Sequence, residues 1–230
     1  MFCFCLVSSC VINTQNEIDI MLSAIVSRGI RRSFASLIGK PAPAFTANAC
    51  MPDGSFKNIS LNDYKGKYVV LYFWPADFTY VCSSETIDFH KNIAKFKEAG
   101  VELLGCSTDT AFVHKAWRST PKTEGGLGTD INHPMIADVT KSISKDYEVL
   151  LDNGLACRGV FIIDKNGNVR SEMKNDLPLG RNVEEVLRTC EALHHVDTHS
   201  GEVCPSSWKK GKAAMKASHE GVIDYLTKHT

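Results

Sequence analysis

Residues 68–74 form an unbroken apolar run, Tyr-Val-Val-Leu-Tyr-Phe-Trp, that stops at Pro75. A short run with no polar position predicts a strand buried on both faces, and a proline ends it because it has no N–H to give a ladder. Beyond it, Phe89, Ile93 and Phe96 recur at i, i+4 and i+7 and Gly100 follows, so the spacing predicts a helix that ends at the glycine. Residues 101–107 predict a second apolar strand. Residues 109–118 predict a helix capped by Asp109 or Thr110. A glycine-rich loop over 121–132, a brief strand over 135–137 and a helix over 140–147 come next.

Two turn signals define hairpins. Met51-Pro52-Asp53-Gly54-Ser55 separates Phe45-Thr46-Ala47 from Phe56-Lys57-Asn58-Ile59, and Lys165-Asn166-Gly167 separates residues 156–163 from 168–173. The last core helix is predicted from Asn182 to about Val196, with an Asn182–Glu185 capping box and a buried stripe of Val183, Val186, Leu187 and Cys190. Strand, helix, strand, then helix, hairpin and helix indicate an α/β domain with a mixed sheet flanked by helices. After Val196 the sequence turns polar, and residues 208–230 read as a C-terminal arm with a short final helix.

Composition narrows the class. The chain has 230 residues, 43% of them hydrophobic, which suits one domain with extensions. Lys+Arg and Asp+Glu each total 26, so no charge excess points to nucleic acid or an anionic membrane. No stretch is apolar for the length of a membrane-spanning helix. The nine cysteines include no C-x-x-C pair, which argues against a zinc module or a dithiol of that spacing. Residues 21–40 carry Arg28, Arg31 and Arg32 with several serines and no acid, the composition of a mitochondrial transit peptide. Met21 then reads as a real or alternative start. A secretory reading of residues 2–12 lacks a basic flank, and a tail with no address is the third possibility.

Cys82 carries the chemistry. It falls in the first turn of the helix that follows the buried strand, where free N–H groups and the positive dipole end favour a thiolate, the nucleophilic form of cysteine. The chemistry also needs an open approach to the sulfur. Thr79 lies three residues before it and can either exchange hydrogen bonds with a substrate and the thiolate or cap the helix. Pro75 can shield the site or simply end the strand.

Pro75-x-x-x-Thr79-x-x-Cys82 resembles the active-site signature of the peroxiredoxins, and Asp77 to Glu85 resembles their typical two-cysteine subgroup. Gly201-Glu202-Val203-Cys204-Pro205 with Trp208 is similar to the subgroup's resolving-cysteine segment. Arg158-Gly159-Val160-Phe161-Ile162-Ile163-Asp164, Gly125-Gly126-Leu127-Gly128 and Asn175-Asp176-Leu177-Pro178-Leu179-Gly180-Arg181 lie between them. The resemblance spans roughly Ile38 to Thr230 and implies a thioredoxin-like fold. By it the chain divides into a targeting or disordered segment 1–36, a peroxidase domain 37–197 and an arm 198–230.

The resemblance further implies a thiol-dependent peroxidase of hydrogen peroxide and organic hydroperoxides. Cys82 would become a sulfenic acid, and Cys204 of a second subunit would resolve it to a disulfide. Arg158 would stabilise thiolate and oxyanion, and Glu85 would orient that arginine or only favour the helix start. A homodimer, a ring of five dimers, and an external thioredoxin-like reductant are implied; a metal, haem or flavin is not. Rival readings are a protein disulfide oxidoreductase and a holdase or peroxide sensor on the same fold. Location is expected to be mitochondrial, with the cytoplasm as alternative.

Three positions depart from the family pattern. Ser83 stands where proline is usual, and Ser83 or Ser84 is expected to loosen or recap the first turn. Ser200 looks like an extra residue before Gly201. Tyr225-Leu226 replaces a Tyr-Phe pair of sensitive members, so intermediate resistance to over-oxidation is expected.

Overall fold

The structure is a computed structural model that describes residues 36–128 and 131–229. The expected targeting segment, apart from Ser36, lies outside the described residues, and with it Cys3, Cys5 and Cys10. Strands β1 (Thr46–Cys50), β2 (Phe56–Ser60), β3 (Tyr68–Phe73), β4 (Val101–Ser107), β5 (Met135–Ala137), β6 (Arg158–Ile163) and β7 (Val169–Asn175) make one sheet in the order β2-β1-β5-β4-β3-β6-β7. β4 runs parallel to both β3 and β5, while the other pairs are antiparallel, so the sheet is mixed as expected.

β3 lies inside the sheet, between β4 and β6, and all six of its residues are buried. Its side chains alternate between two cores, as the twofold strand period requires. Tyr68, Val70 and Tyr72, continued by Trp74, join Phe89, Phe96, Val186 and Leu187 on one face. Val69, Leu71 and Phe73 join Leu104, Ile143, Tyr147 and Phe161 on the other. The first face is covered by α1 (Tyr80–Lys91), α2 (Ile93–Glu98) and α5 (Val183–Thr198). The second is covered in part by α4 (Ser142–Asp146). The helix α3 (Ala111–Ser119) starts at Thr110, whose side chain accepts from the Val113 N–H, which settles the choice between the two expected caps.

Two expectations need correction. The helix predicted to run on to Gly100 is two helices, α1 and α2, joined at Asn92. The Asn92 amide nitrogen donates to the Asp88 carbonyl, an example of a short polar side chain competing with the helical ladder. The Asn182–Glu185 box is only half made. Asn182 accepts from the Glu185 N–H, but the Glu185 carboxylate turns forward to Arg188, at 2.6 and 2.7 Å. A guanidinium one turn on is a stronger partner than a neutral N–H.

After α5 the chain turns back along its own helix. Strands β8 (Glu202–Val203) and β9 (Met215–Lys216) form a small antiparallel pair, and α6 (His219–His229) ends the arm. No helix among the described residues is long and apolar enough to cross a membrane.

Candidate active site

The end of β3 delivers the chain to the site. Trp74 and Pro75 are buried, and the loop beyond them is pinned by Asp77. One Asp77 oxygen accepts from Trp74 Nε1 at 2.8 Å, and the other meets His114 Nδ1 at 2.7 Å, with both side chains wholly buried. The Asp77 N–H donates to Asp109 Oδ2 at 2.9 Å. Burial pushes the Asp77 carboxyl up, against the opposing pull of His114. The next residue, Phe78, has φ 55°, a left-handed backbone in which a bulky side chain is strained.

Thr79 is the N-cap residue of α1 by position, yet its side chain caps nothing. Its hydroxyl donates to the Ala76 carbonyl at 2.7 Å, which closes the loop on itself. A hydroxyl committed as donor keeps its acceptor lone pairs. Cys82 then lies in the first turn of α1, as expected. Ser83 and Ser84 do not recap that turn. Their hydroxyls donate back to the carbonyls of Thr79 and Val81, at 3.0 and 2.7 Å.

Arg158 opens β6 and reaches across the sheet end to α1. Its Nη1 lies 3.3 Å from Cys82 Sγ and 2.6 Å from Glu85 Oε2, and its Nε donates to the Leu177 carbonyl at 2.7 Å. A guanidinium is a rigid fork of donors with a fixed charge, so it stabilises negative charge on the sulfur it touches. Gly159 follows because a Cβ there would sit 2.7 Å from Val149 Cγ1, too close for any side chain.

Glu85 holds that arginine, and a second one that sequence reasoning did not single out. Arg181 gives its backbone N–H and Nε to Glu85 Oε1, both at 2.8 Å, and Nη2 to Oε2 at 2.8 Å. Its Nη1 donates to the carbonyls of Phe73 and Gly159, both at 2.6 Å. Burial alone would push the Glu85 carboxyl up, but the bonds and charge of Arg181, then the charge of Arg158, hold it below the usual carboxylate range. The signal for Arg181 was its place at the end of the Asn175–Arg181 stretch, immediately before the α5 cap.

The expectation of an open approach to the sulfur is not met: Cys82 is 0% exposed. Cys82 belongs to the same buried core as Trp74 and Phe89. Cys204 sits elsewhere, half-buried on the arm, with Sγ 3.7 Å from the Ala192 carbonyl of α5. Desolvation pushes its thiol up. Both are free thiols. Cys50, Cys106 and Cys190 are buried, and burial pushes the Cys106 and Cys190 thiols up; Cys157, beside Arg158, is half-buried and also pushed up by desolvation. On α6, Tyr225 packs against His229 with ring centroids 4.8 Å apart, and Leu226 is half exposed.

A mixed sheet with helices on its faces, and an arginine-held cysteine at a helix start beyond a wholly buried inner strand, defines a thioredoxin-like thiol peroxidase. The chain belongs to the AhpC/TSA family, whose profile matches residues 38–172, as a typical two-cysteine peroxiredoxin. The C-terminal domain of 1-Cys peroxiredoxin matches residues 192–228. The chain is 51% identical over 193 residues to peroxiredoxin-2 of Cricetulus griseus, covering 84% of this chain and 96% of that one. It is 47% identical over 196 residues to alkyl hydroperoxide reductase C of Helicobacter pylori, covering 84% and 98%. The reduced 2-Cys peroxiredoxin of Plasmodium vivax superimposes with a TM-score of 0.81 at 47% identity, over 84% of this chain and 99% of that one. The mitochondrial 2-cys peroxiredoxin of Plasmodium falciparum gives 0.69 at 47% identity, over 73% and 99%. The protein is a thiol-dependent peroxidase, an oxidoreductase whose chemistry is that of cysteine and needs no cofactor.

Proposed function

We propose that Cys82 is the peroxidatic residue. Its thiolate attacks one peroxide oxygen, the O–O bond breaks, and the sulfur becomes a sulfenic acid while the other oxygen leaves as water or an alcohol after taking a proton. Arg158 stabilises the thiolate and the charge that develops on the leaving oxygen. Thr79 accepts a hydrogen bond from the incoming peroxide, Pro75 keeps water off the sulfur, and Glu85 fixes the arginine. The observation that carries this reading is the 3.3 Å approach of Arg158 Nη1 to Cys82 Sγ.

The second half of the cycle uses Cys204 of a second copy. Its thiol condenses with the sulfenic acid, a disulfide forms and water leaves. Disulfide geometry requires the two Cα atoms within about 7 Å. Because Cys82 is 0% exposed, the first turn of α1 opens for this step. A thioredoxin-like dithiol then reduces the disulfide. The unit is a homodimer, and five dimers close a ring. Residues 1–36 act as a mitochondrial address, 37–197 as the peroxidase domain and 198–230 as the resolving arm. Similarity to a mitochondrial 2-cys peroxiredoxin of Plasmodium falciparum supports that location, with the cytoplasm as the alternative. Intermediate resistance to over-oxidation follows from Leu226, and Leu226→Phe should raise sensitivity in a peroxide titration.

Non-reducing gels after one equivalent of peroxide test the pairing. Wild type runs as a cross-linked dimer, and Cys82→Ser and Cys204→Ser run as monomers. Full cross-linking of either variant overturns the assignment. Peroxide-dependent oxidation of thioredoxin separates the peroxidase from a protein disulfide oxidoreductase, and a holdase or sensor would keep its activity in Cys82→Ser.

A further inference from the structure

One histidine of α5 contacts the Cys204 segment on both sides of the thiol. His195, in the last turns of α5, places Nε2 2.8 Å from Glu202 Oε2. A carboxylate only accepts, so the imidazole donates. The His195 ring stacks on His199 with centroids 4.1 Å apart and an interplanar angle of 13°. It also lies 4.9 Å from the Trp208 ring. Glu202 is two residues before Cys204 and Trp208 four residues after it, so the thiol is bracketed by two contacts to the same side chain. Trp208 is itself fixed: it is 4% exposed, its Nε1 donates to the Lys212 carbonyl at 3.1 Å, and its own carbonyl accepts from Arg188 Nη1 at 2.9 Å. Between the two contacts Cys204 faces the Ala192 carbonyl of its own helix.

We propose that His195 is a positioning residue for the resolution step, a clasp that keeps the Cys204 segment docked on α5 until it is released toward the oxidised Cys82. The inference rests on the reading of Cys204 as the resolving thiol. Docked, the Cys204 sulfur faces a backbone carbonyl and not a sulfenic acid, so disulfide formation requires the segment to leave. The clasp therefore lengthens the life of the Cys82 sulfenic acid. That intermediate partitions between a thiol, which gives the disulfide and water, and a second peroxide, which gives sulfinic acid. His195 touches neither the substrate nor Cys82 and acts only through Glu202 and Trp208. It sets how the second step competes with over-oxidation and leaves the first step alone.

The test separates the two steps by quenched flow on the full chain. His195→Phe keeps a ring against Trp208 and removes the donor. It should raise the rate of disulfide formation about fivefold, the size of one net hydrogen bond. Glu202→Ala, which has no acceptor, should raise it similarly, and the double variant should match either single one, because both remove the same contact. His195→Gln, which restores an N–H donor, should return the rate toward wild type. First-turnover peroxide consumption should stay unchanged in all, and the fraction of sulfinic acid at a fixed peroxide excess should fall. An unchanged disulfide rate in His195→Phe overturns the clasp, as do additive effects of the two single variants. A parallel change in the first step would show a general loss of structure and also overturns it. Cys204→Ser is the control: persistent cross-linking in it sinks the resolving role itself, whereas a monomeric control with rate-neutral His195 variants sinks only the clasp.

Discussion

Glu85 Oε1 accepts from both the backbone N–H and the Nε of Arg181, 96 residues further along the chain, at 2.8 Å each. The other oxygen takes Arg181 Nη2 and the same Arg158 Nη1 that touches the Cys82 sulfur. One buried carboxylate thus serves two guanidinium groups, the arginine at the sulfur and the arginine that ties β3 to β6. Glu85→Gln leaves two buried cations uncompensated. Removing one partner of a buried charge pair costs about 3 to 5 kcal/mol, so urea unfolding at neutral pH should show a loss of about that size. The pH dependence follows from a folded pKa below the ordinary value of 4.5. The carboxylate's contribution is full above about 4.5 and is lost as pH falls through the lower, folded value. Wild type and Glu85→Gln should therefore converge in stability in acid. A loss under 1 kcal/mol at neutral pH would show that the charge is not what holds the cluster.

Arg158→Lys keeps the charge and loses the fork. A lysine cannot reach the sulfur, Glu85 and the Leu177 carbonyl together, as Nη1 and Nε of the arginine do. Removing one preorganised donor to a developing oxyanion costs on the order of a hundredfold in rate. The second-order rate constant for Cys82 oxidation, measured by competition with a second peroxidase, should fall by about that factor. Resolution by Cys204 should be unaffected. A rate within threefold of wild type would remove Arg158 from the chemistry.

Thr79 offers a cleaner separation of roles. Its hydroxyl gives its proton to the Ala76 carbonyl and caps no helix N–H. Thr79→Val should therefore slow peroxide consumption by about tenfold or more, while losing about 1 kcal/mol of stability at the loop. Thr79→Ser should retain the rate, because it keeps both the donor and the lone pairs. Equal slowing by serine and valine would point to the lost methyl packing and not to the hydroxyl.

Much of this was legible in the sequence, and the part that was not has a physical pattern. β4 and β5 fall on the expected residues because both are short apolar runs with clear punctuation. The break at Asn92 was not, because Phe89 and Phe96 keep the helical spacing across it and both reach the core. Cys82 and Thr79 were picked out by local context, a strand end and a helix start, whereas Arg158 rested on the family resemblance. Arg181 has no such context of its own. Its role depends on three partners, Phe73, Glu85 and Gly159, that only the folded sheet brings together. The burial of Cys82 was likewise invisible, since the helix start predicts electrostatics and says nothing about what packs over it. The clasp on Cys204 needs the turn of the arm back onto α5, a path that polar composition after Val196 does not encode.

His133 supplies a pH dependence that is independent of catalysis. It is wholly buried and meets the Tyr72 hydroxyl at 2.8 Å through Nε2, while Nδ1 has no partner. Burial, then the nearby charges of His90 and Arg118, lower its pKa from 6.5 to about 3. Below 6.5 the unfolded chain binds a proton that the folded chain refuses, so stability falls as pH falls through that window and is fully present above it. The slope from this one group approaches about 1.4 kcal/mol per pH unit. Glu85 adds its own loss only below about 4.5, so between 6.5 and 4.5 the comparison with a variant lacking the imidazole isolates the histidine. Chemical unfolding of wild type and His133→Gln at several pH values in that interval should show the difference between them shrink or reverse in acid, since glutamine takes no proton. Parallel stability curves for the two proteins would mean that His133 is protonated in the fold, and that the Tyr72 contact alone does not keep it neutral.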